Sequence, residues 1–190
     1  MKRTLLLTVA LLVATPCHSA EITIYRGEII VTGRIEQDDY EKFLGTAAGM
    51  VDGKKQTVRI SSPGGHMNPA IRIGKFIREQ GWKTLVPEFG HCASACLLIW
   101  AAGIPRLFGH GAILGAHCVT TLENPTQCYE PGNVRYREFL RSQEMPEEFI
   151  ELHRKTTLPI VWVPLDTAAS ALAIERAIVC MRRHARNARI

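Results

Sequence analysis

A chain of 190 residues, 46% of them hydrophobic and 22% charged, can close one sizeable globular core, and this balance excludes a disordered or collagen-like polymer. Its formal charge of +5 falls to about +3 without Lys2 and Arg3, the basic count dropping from 23 to 21 against 18 acidic residues. So mild a surplus gives no ground for a nucleic-acid partner, and the only dense basic run, Met181 to Arg189, reads as a solvated helix end.

Residues 1–20, MKRTLLLTVALLVATPCHSA, carry a basic start, an apolar run from Leu5 to Ala14 and small residues before Glu21. That is the pattern of a cleaved Sec-type secretory signal, with a single domain expected over 21–190. The apolar run is shorter than the ~18 residues an anchor requires, so no stable membrane anchor is expected after cleavage. Pro16 before Cys17 argues against a lipoprotein, and either Cys17 or His18 stands three residues before the cut. Export would deliver the chain to the periplasm or beyond, where disulfides persist. The processed chain keeps Cys92, Cys96, Cys118, Cys128 and Cys180, an odd number that leaves at least one thiol free or paired between molecules. Spacing does not fix the connectivity; Cys118–Cys128 is the first expected bridge and Cys92–Cys96 the second.

Glu21 to Ile35 alternates apolar and polar residues with a break at Gly27, predicting two short strands. Asp38 and Asp39 introduce a helix with Tyr40, Phe43, Leu44 and Ala47 on one face. TVRIS (57–61) reads as a strand running into Ser62, Pro63, Gly64 and Gly65, followed by a helix with Ala70, Ile73 and Ile77 on its apolar face. KTLVPE (83–88) is the next strand, GHCAS a turn, and ACLLIWAAG (95–103) a buried helix. Strands are expected at 106–108 and over 112–119, the second carrying His117. A polar loop over 120–133 precedes amphipathic helices near 134–143 and 146–155, and Asp166 and Thr167 open a last helix over 168–179. Strands alternating with helices predict an α/β fold whose ligand site lies at the carboxyl ends of a mainly parallel sheet.

Three strand ends carry chemistry: SSPGG at Ser61 to Gly65, HCASAC at 91–96, and His117. Serine is a weak nucleophile near neutrality and needs a base and two donors for the oxyanion of acyl attack. His117 has the chemistry of that base. Glycines such as Gly64 and Gly65 bring a backbone N–H close to a substrate without a Cβ, and the N–H of Ala95 follows Ser94 at a helix start. Read singly, the same residues are a helix cap, a turn, small core cysteines and an ordinary histidine.

Taken in order, VRISSPGGHMNPAIRIGKFI and TLVPEFGHCASACLLIWAAGIPRLFGHGAILGAH resemble the ClpP-like branch of the ClpP/crotonase superfamily, in particular exported bacterial members with a Cys-x-Ser-Ala-Cys segment. The resemblance is best over Gln56 to Val119. It implies a fold of repeated ββα units, with a mainly parallel sheet flanked by helices, and a serine endopeptidase-type hydrolase. Ser94 would be the nucleophile, His117 the general base, and Gly64, Gly65 and Ala95 the oxyanion donors. No cofactor or metal is implied, the partner is a peptide or protein substrate, and cleavage would be independent of ATP. Homo-oligomerisation is among the family's habits, with ring, dimer and monomer all left open. The family's third triad residue is an Asp that aligns near Trp162; the nearest acid is Asp166, which also reads as the N-cap of the final helix. Glu148 and Glu151 are alternatives on the preceding helix. The rival readings are a ClpP-fold protein that binds peptides or a partner without catalysis, a zinc site drawn from His91, Cys92, Cys96, His110, His117 and Cys118, and acyl-CoA chemistry, which export disfavours.

Overall fold

The computed structural model describes residues 19–50, 55–153 and 161–164. The signal segment before Ser19, the final helix and Asp166 lie outside the described residues.

β1 (Glu21–Tyr25) and β2 (Glu28–Thr32) form a hairpin whose two turn residues, Arg26 and Gly27, both have positive φ, at 51° and 78°. That is the two-residue turn whose twist matches paired strands. β2 points Ile29 and Val31 inward and pairs in parallel with β3 (Thr57–Ser61), which buries Val58 and Ile60 by the same alternation. β4 (Lys83–Val86) continues the parallel run, followed in space by β6 (Arg106–Phe108), giving a five-stranded sheet β1-β2-β3-β4-β6. A second sheet has the order β5-β7-β8, from β5 (His91–Ala93), β7 (Ile113–Ala116) and β8 (Val161–Pro164). β5 and β7 are parallel and β8 is antiparallel, with Ala116 opposite Val161 and Ile113 opposite Pro164. The bridge between Ser62 and Cys92 joins the sheets, so the end of β3 lies against β5.

Among the described residues, five helices cover these sheets: α1 (Asp39–Ala48), α2 (Met67–Glu79), α3 (Ala95–Ala101), α4 (Glu130–Ser142) and α5 (Glu147–Leu152). α3 is apolar on every side and all its residues are buried, which makes it the central helix. Gly74 of α2 permits the close approach: a Cβ there would stand 3.0 Å from the Leu98 carbonyl oxygen and 2.9 Å from the Phe139 ring. The buried Arg106 is accommodated at helix ends, its Nε donating to Ala101 O at 2.6 Å and its second nitrogen to Gln143 O. Free carbonyls at helix C-termini suit a buried cation.

The mixed α/β architecture with its mostly parallel sheet agrees with the sequence expectation, and four elements depart in detail. His91–Ala93, expected as a turn, is a strand too short to show alternation. β7 ends at Ala116, leaving His117 just beyond the sheet. α4 starts at Glu130, because Pro131 is tolerated in a first turn. β8 was not expected at all. Among the described residues no helix is long and apolar enough to cross a membrane.

Candidate active site

The loop after β3 is held from within. Ser62 is fully buried; its hydroxyl donates to Gly33 O at 2.6 Å and accepts the Gly64 N–H at 3.0 Å. Gly64 and Gly65 have φ of 94° and 142°, which L side chains rarely adopt. A Cβ on Gly64 would lie 2.5 Å from Ala93 O and 2.7 Å from Ser94 Cβ, and one on Gly65 would lie 2.1 Å from Ile35 O. Both backbones therefore press against their neighbours, and Ile35 clamps them by donating to Gly64 O and accepting from His66 N–H, each at 2.8 Å. Gly64, expected as an oxyanion donor, spends its N–H on Ser62. The Gly65 N–H has no hydrogen-bond partner among the described residues.

Ser94 stands at the corner between β5 and α3 with φ 54° and ψ −124°. A non-glycine residue there costs about 1–3 kcal/mol and persists only where its surroundings enforce it. They do so here: Ser94 N–H donates to Gly115 O at 2.9 Å, and Ser94 O accepts from the Tyr136 hydroxyl at 3.1 Å and Leu97 N–H at 3.0 Å. Cys92 and Cys96 form a disulfide across the corner, their Cα atoms 5.3 Å apart. Among the described residues, Ser94 Oγ and the Ala95 N–H have no hydrogen-bond partner.

His117 places Nδ1 2.7 Å from the Cys118 carbonyl oxygen. A carbonyl only accepts, so Nδ1 carries the proton and Nε2 keeps the lone pair. Burial lowers the pKa of the ring, while the Cys118 carbonyl pulls it up. The Cys118–Cys128 disulfide closes the following loop, whose ends are also tied by Tyr129 N–H to Val119 O and by Val119 N–H to Asn133 Oδ1, both at 2.7 Å. Residues 122–127 of that loop are exposed.

Ser94, Ala95, Gly65 and His117 line one cleft of about 520 Å³, with Val119, Thr120, Thr121, Leu122 and Pro125 forming a wall. Arg34 and His66 line its rim, both near Glu36, at 3.0 and 3.4 Å. Among the described residues no carboxylate lines the cleft; Glu148 is exposed, and neither it nor Glu151 is part of the wall. β8 enters its sheet opposite Ala116, the residue before His117, and leaves it opposite Ile113. The cysteines of the zinc alternative are taken up in the two disulfides, and His110 packs edge-on against Phe89.

Sequence reasoning missed Tyr136 and His153. His153 is 1% exposed and stacks on Tyr136 with ring centroids 4.0 Å apart, and its two ring nitrogens lack a partner within normal hydrogen-bond geometry among the described residues. Burial drives its pKa down to about 4, against the pull of the His117 backbone carbonyl, and the charges of His117 and Arg137 lower it further. Both residues sit in amphipathic segments where an aromatic ring signals only packing.

No protein-family model matches the sequence, and no curated protein does. Among solved structures, the chain is similar to a ClpP1 mutant from Listeria monocytogenes, at 18% identity and a TM-score of 0.57, covering 76% of this chain and 86% of that one. It is also similar to the ClpP protease catalytic domain from Plasmodium falciparum, at 16% identity and a TM-score of 0.54, covering 76% of this chain and 79% of the other. The likeness is one of fold: the chain has a ClpP-like architecture.

Proposed function

We propose that the chain is an exported serine hydrolase that cleaves peptide bonds, with Ser94 as nucleophile and His117 as general base. The observation that carries the reading is the backbone of Ser94: a residue at φ 54° on a strand-to-helix corner, whose hydroxyl, unpartnered among the described residues, lines a cleft shared with a histidine. Strained corners of this kind display nucleophiles. In the mechanism, Ser94 Oγ attacks the scissile carbonyl as His117 Nε2 takes its proton. The N–H groups of Gly65 and Ala95, which line the cleft and have no partner among the described residues, hold the oxyanion. His117 then protonates the leaving amine, and water repeats the steps on the acyl-enzyme.

The orienting duty of a triad acid falls to the Cys118 carbonyl, which fixes the tautomer through Nδ1. A carbonyl dipole stabilises the imidazolium less than a carboxylate would, so turnover is expected to be slow. The two disulfides support the periplasmic or extracellular location. Covalent labelling by a fluorophosphonate tests the assignment: the intact protein is expected to label and Ser94→Ala not to. Absence of label, or label that survives Ser94→Ala, overturns it. The lack of a carboxylate in the described cleft wall favours one second reading, a non-catalytic peptide-binding protein; peptide binding without labelling would select it.

A further inference from the structure

We propose that the finished protein begins at Ala20, freed by hydrolysis of the Ser19–Ala20 bond, and that its new α-ammonium is held by the buried carboxylate of Asp39. Water adds across the amide, Ser19 departs as a carboxylate, and the Ala20 amine takes a proton. The proposal rests on the export reading above and shifts the expected boundary by one residue. A cut after Ala20 would discard a residue that is 5% exposed, belongs to the hydrophobic core and donates its N–H to Asp39 Oδ2 at 3.1 Å. A cut after Ser19 keeps that packing and leaves a small residue on its amino side, as leader peptidases require.

Asp39 is built as an acceptor. Its side chain is fully buried and takes hydrogen bonds from the Glu36 N–H at 2.7 Å, from Lys42 Nζ at 3.1 Å, from Ala20, and from the Ser19 hydroxyl. These partners hold its pKa below the ordinary value although burial alone would raise it. Cleavage removes the Ser19 hydroxyl and turns a neutral amide with one proton into a cation with three, at the same position. Charge-assisted hydrogen bonds are roughly twice as strong as neutral ones. Glu36, which donates to Asp39, adjoins Ile35, the residue that clamps Gly64 and His66.

The full chain is expressed with its leader in a Sec-competent bacterium, and the mass of the periplasmic product is measured. A product starting at Ala20 is expected. One starting at Glu21 overturns the proposal but leaves export intact, whereas an uncleaved chain removes both. The α-amine is then acylated at pH 7: an ion pair that raises its pKa by one unit slows the reaction about tenfold relative to Asp39→Asn. If Asp39→Asn does not fold, the comparison is a chain extended by Gly-Ser before Ala20, whose displaced amine should react at the rate of a free peptide. Equal rates for Ala20-start and extended chains overturn the pair.

Discussion

Replacing Gly64 by alanine separates a steric role from a merely conformational one. The new Cβ would stand 2.5 Å from Ala93 O, 2.7 Å from Ser94 Cβ and 3.0 Å from Ala95 N, all belonging to the strained corner. The first contact is roughly 1 Å inside optimal separation, and backbone atoms tied into β5 cannot swing away as a flexible side chain would. Adding matter to a filled site costs about 1–3 kcal/mol, and a positive φ costs a further 1 kcal/mol or so. Gly27 supplies the control, because it also has positive φ, at 78°, but nothing lies within 4 Å of its Cβ position. Gly27→Ala should therefore show the conformational part alone, and the difference between the variants in urea unfolding should be about 1–3 kcal/mol. Relief of the clash must displace Ser94 or Ala95, and a shift of ~1 Å at a reacting group lowers fluorophosphonate labelling by about 10²-fold. Equal unfolding free energies for the two variants, with labelling unchanged in Gly64→Ala, would refute the reasoning.

Other outcomes follow from the same geometry. The Cys118→Ser/Cys128→Ser pair opens a loop of sequence separation 10, which should cost about 3 kcal/mol in urea unfolding and slow labelling, since Cys118 supplies the carbonyl behind His117; undiminished labelling would detach the loop from the base. Because partial burial disfavours the imidazolium, the labelling rate should rise with pH around a midpoint below 6.5 if His117 is the base, and a midpoint above that value contradicts that assignment. For His153, whose folded pKa of about 4 lies below the unfolded value of about 6.5, stability is full above pH 6.5 and is lost as pH falls toward 4, by about 3 kcal/mol. His153→Phe keeps a ring on Tyr136 and should flatten that loss; an equally steep decline in the variant, followed by urea midpoints, would place its cause elsewhere. Asp166→Asn should leave labelling within a few-fold if the Cys118 carbonyl orients His117, whereas a loss of the order of 10⁴ would identify Asp166 as the missing acid.

The parts of this molecule that could be read from sequence are those whose signal is local and repeated. Val58 and Ile60 alternate along β3, and Ile73 and Ile77 recur along α2, so their faces are written in the chain. His91–Ala93 is three residues long and takes its strand character from Ser62 and Ile113, partners far away in sequence. The same holds for β8, whose place depends on β7. At the site, SPGG and the serine between cysteines announced a close backbone approach and a corner. What they did not announce was which amide stays free, because that turns on one hydroxyl, Ser62 Oγ, capturing the Gly64 N–H. A search for a third catalytic group looks for a carboxylate side chain, while the acceptor that meets His117 is a main-chain carbonyl. Every residue has one, so no spelling marks it.

The cleft has two walls of different kinds. One is the corner at α3, whose every residue is buried, so a change there disturbs the core of the whole domain. The other is the loop after Val119, exposed from residue 122 to 127 and stapled at its base by Cys118–Cys128, with Leu122 81% exposed. A stapled base lets the span between vary in sequence and length at little entropic cost. On the proposed reading, substrate preference can therefore diversify by drift in this loop alone while the setting of Ser94 stays fixed, and a library randomised over residues 121–127 would sample new specificities on an unchanged scaffold.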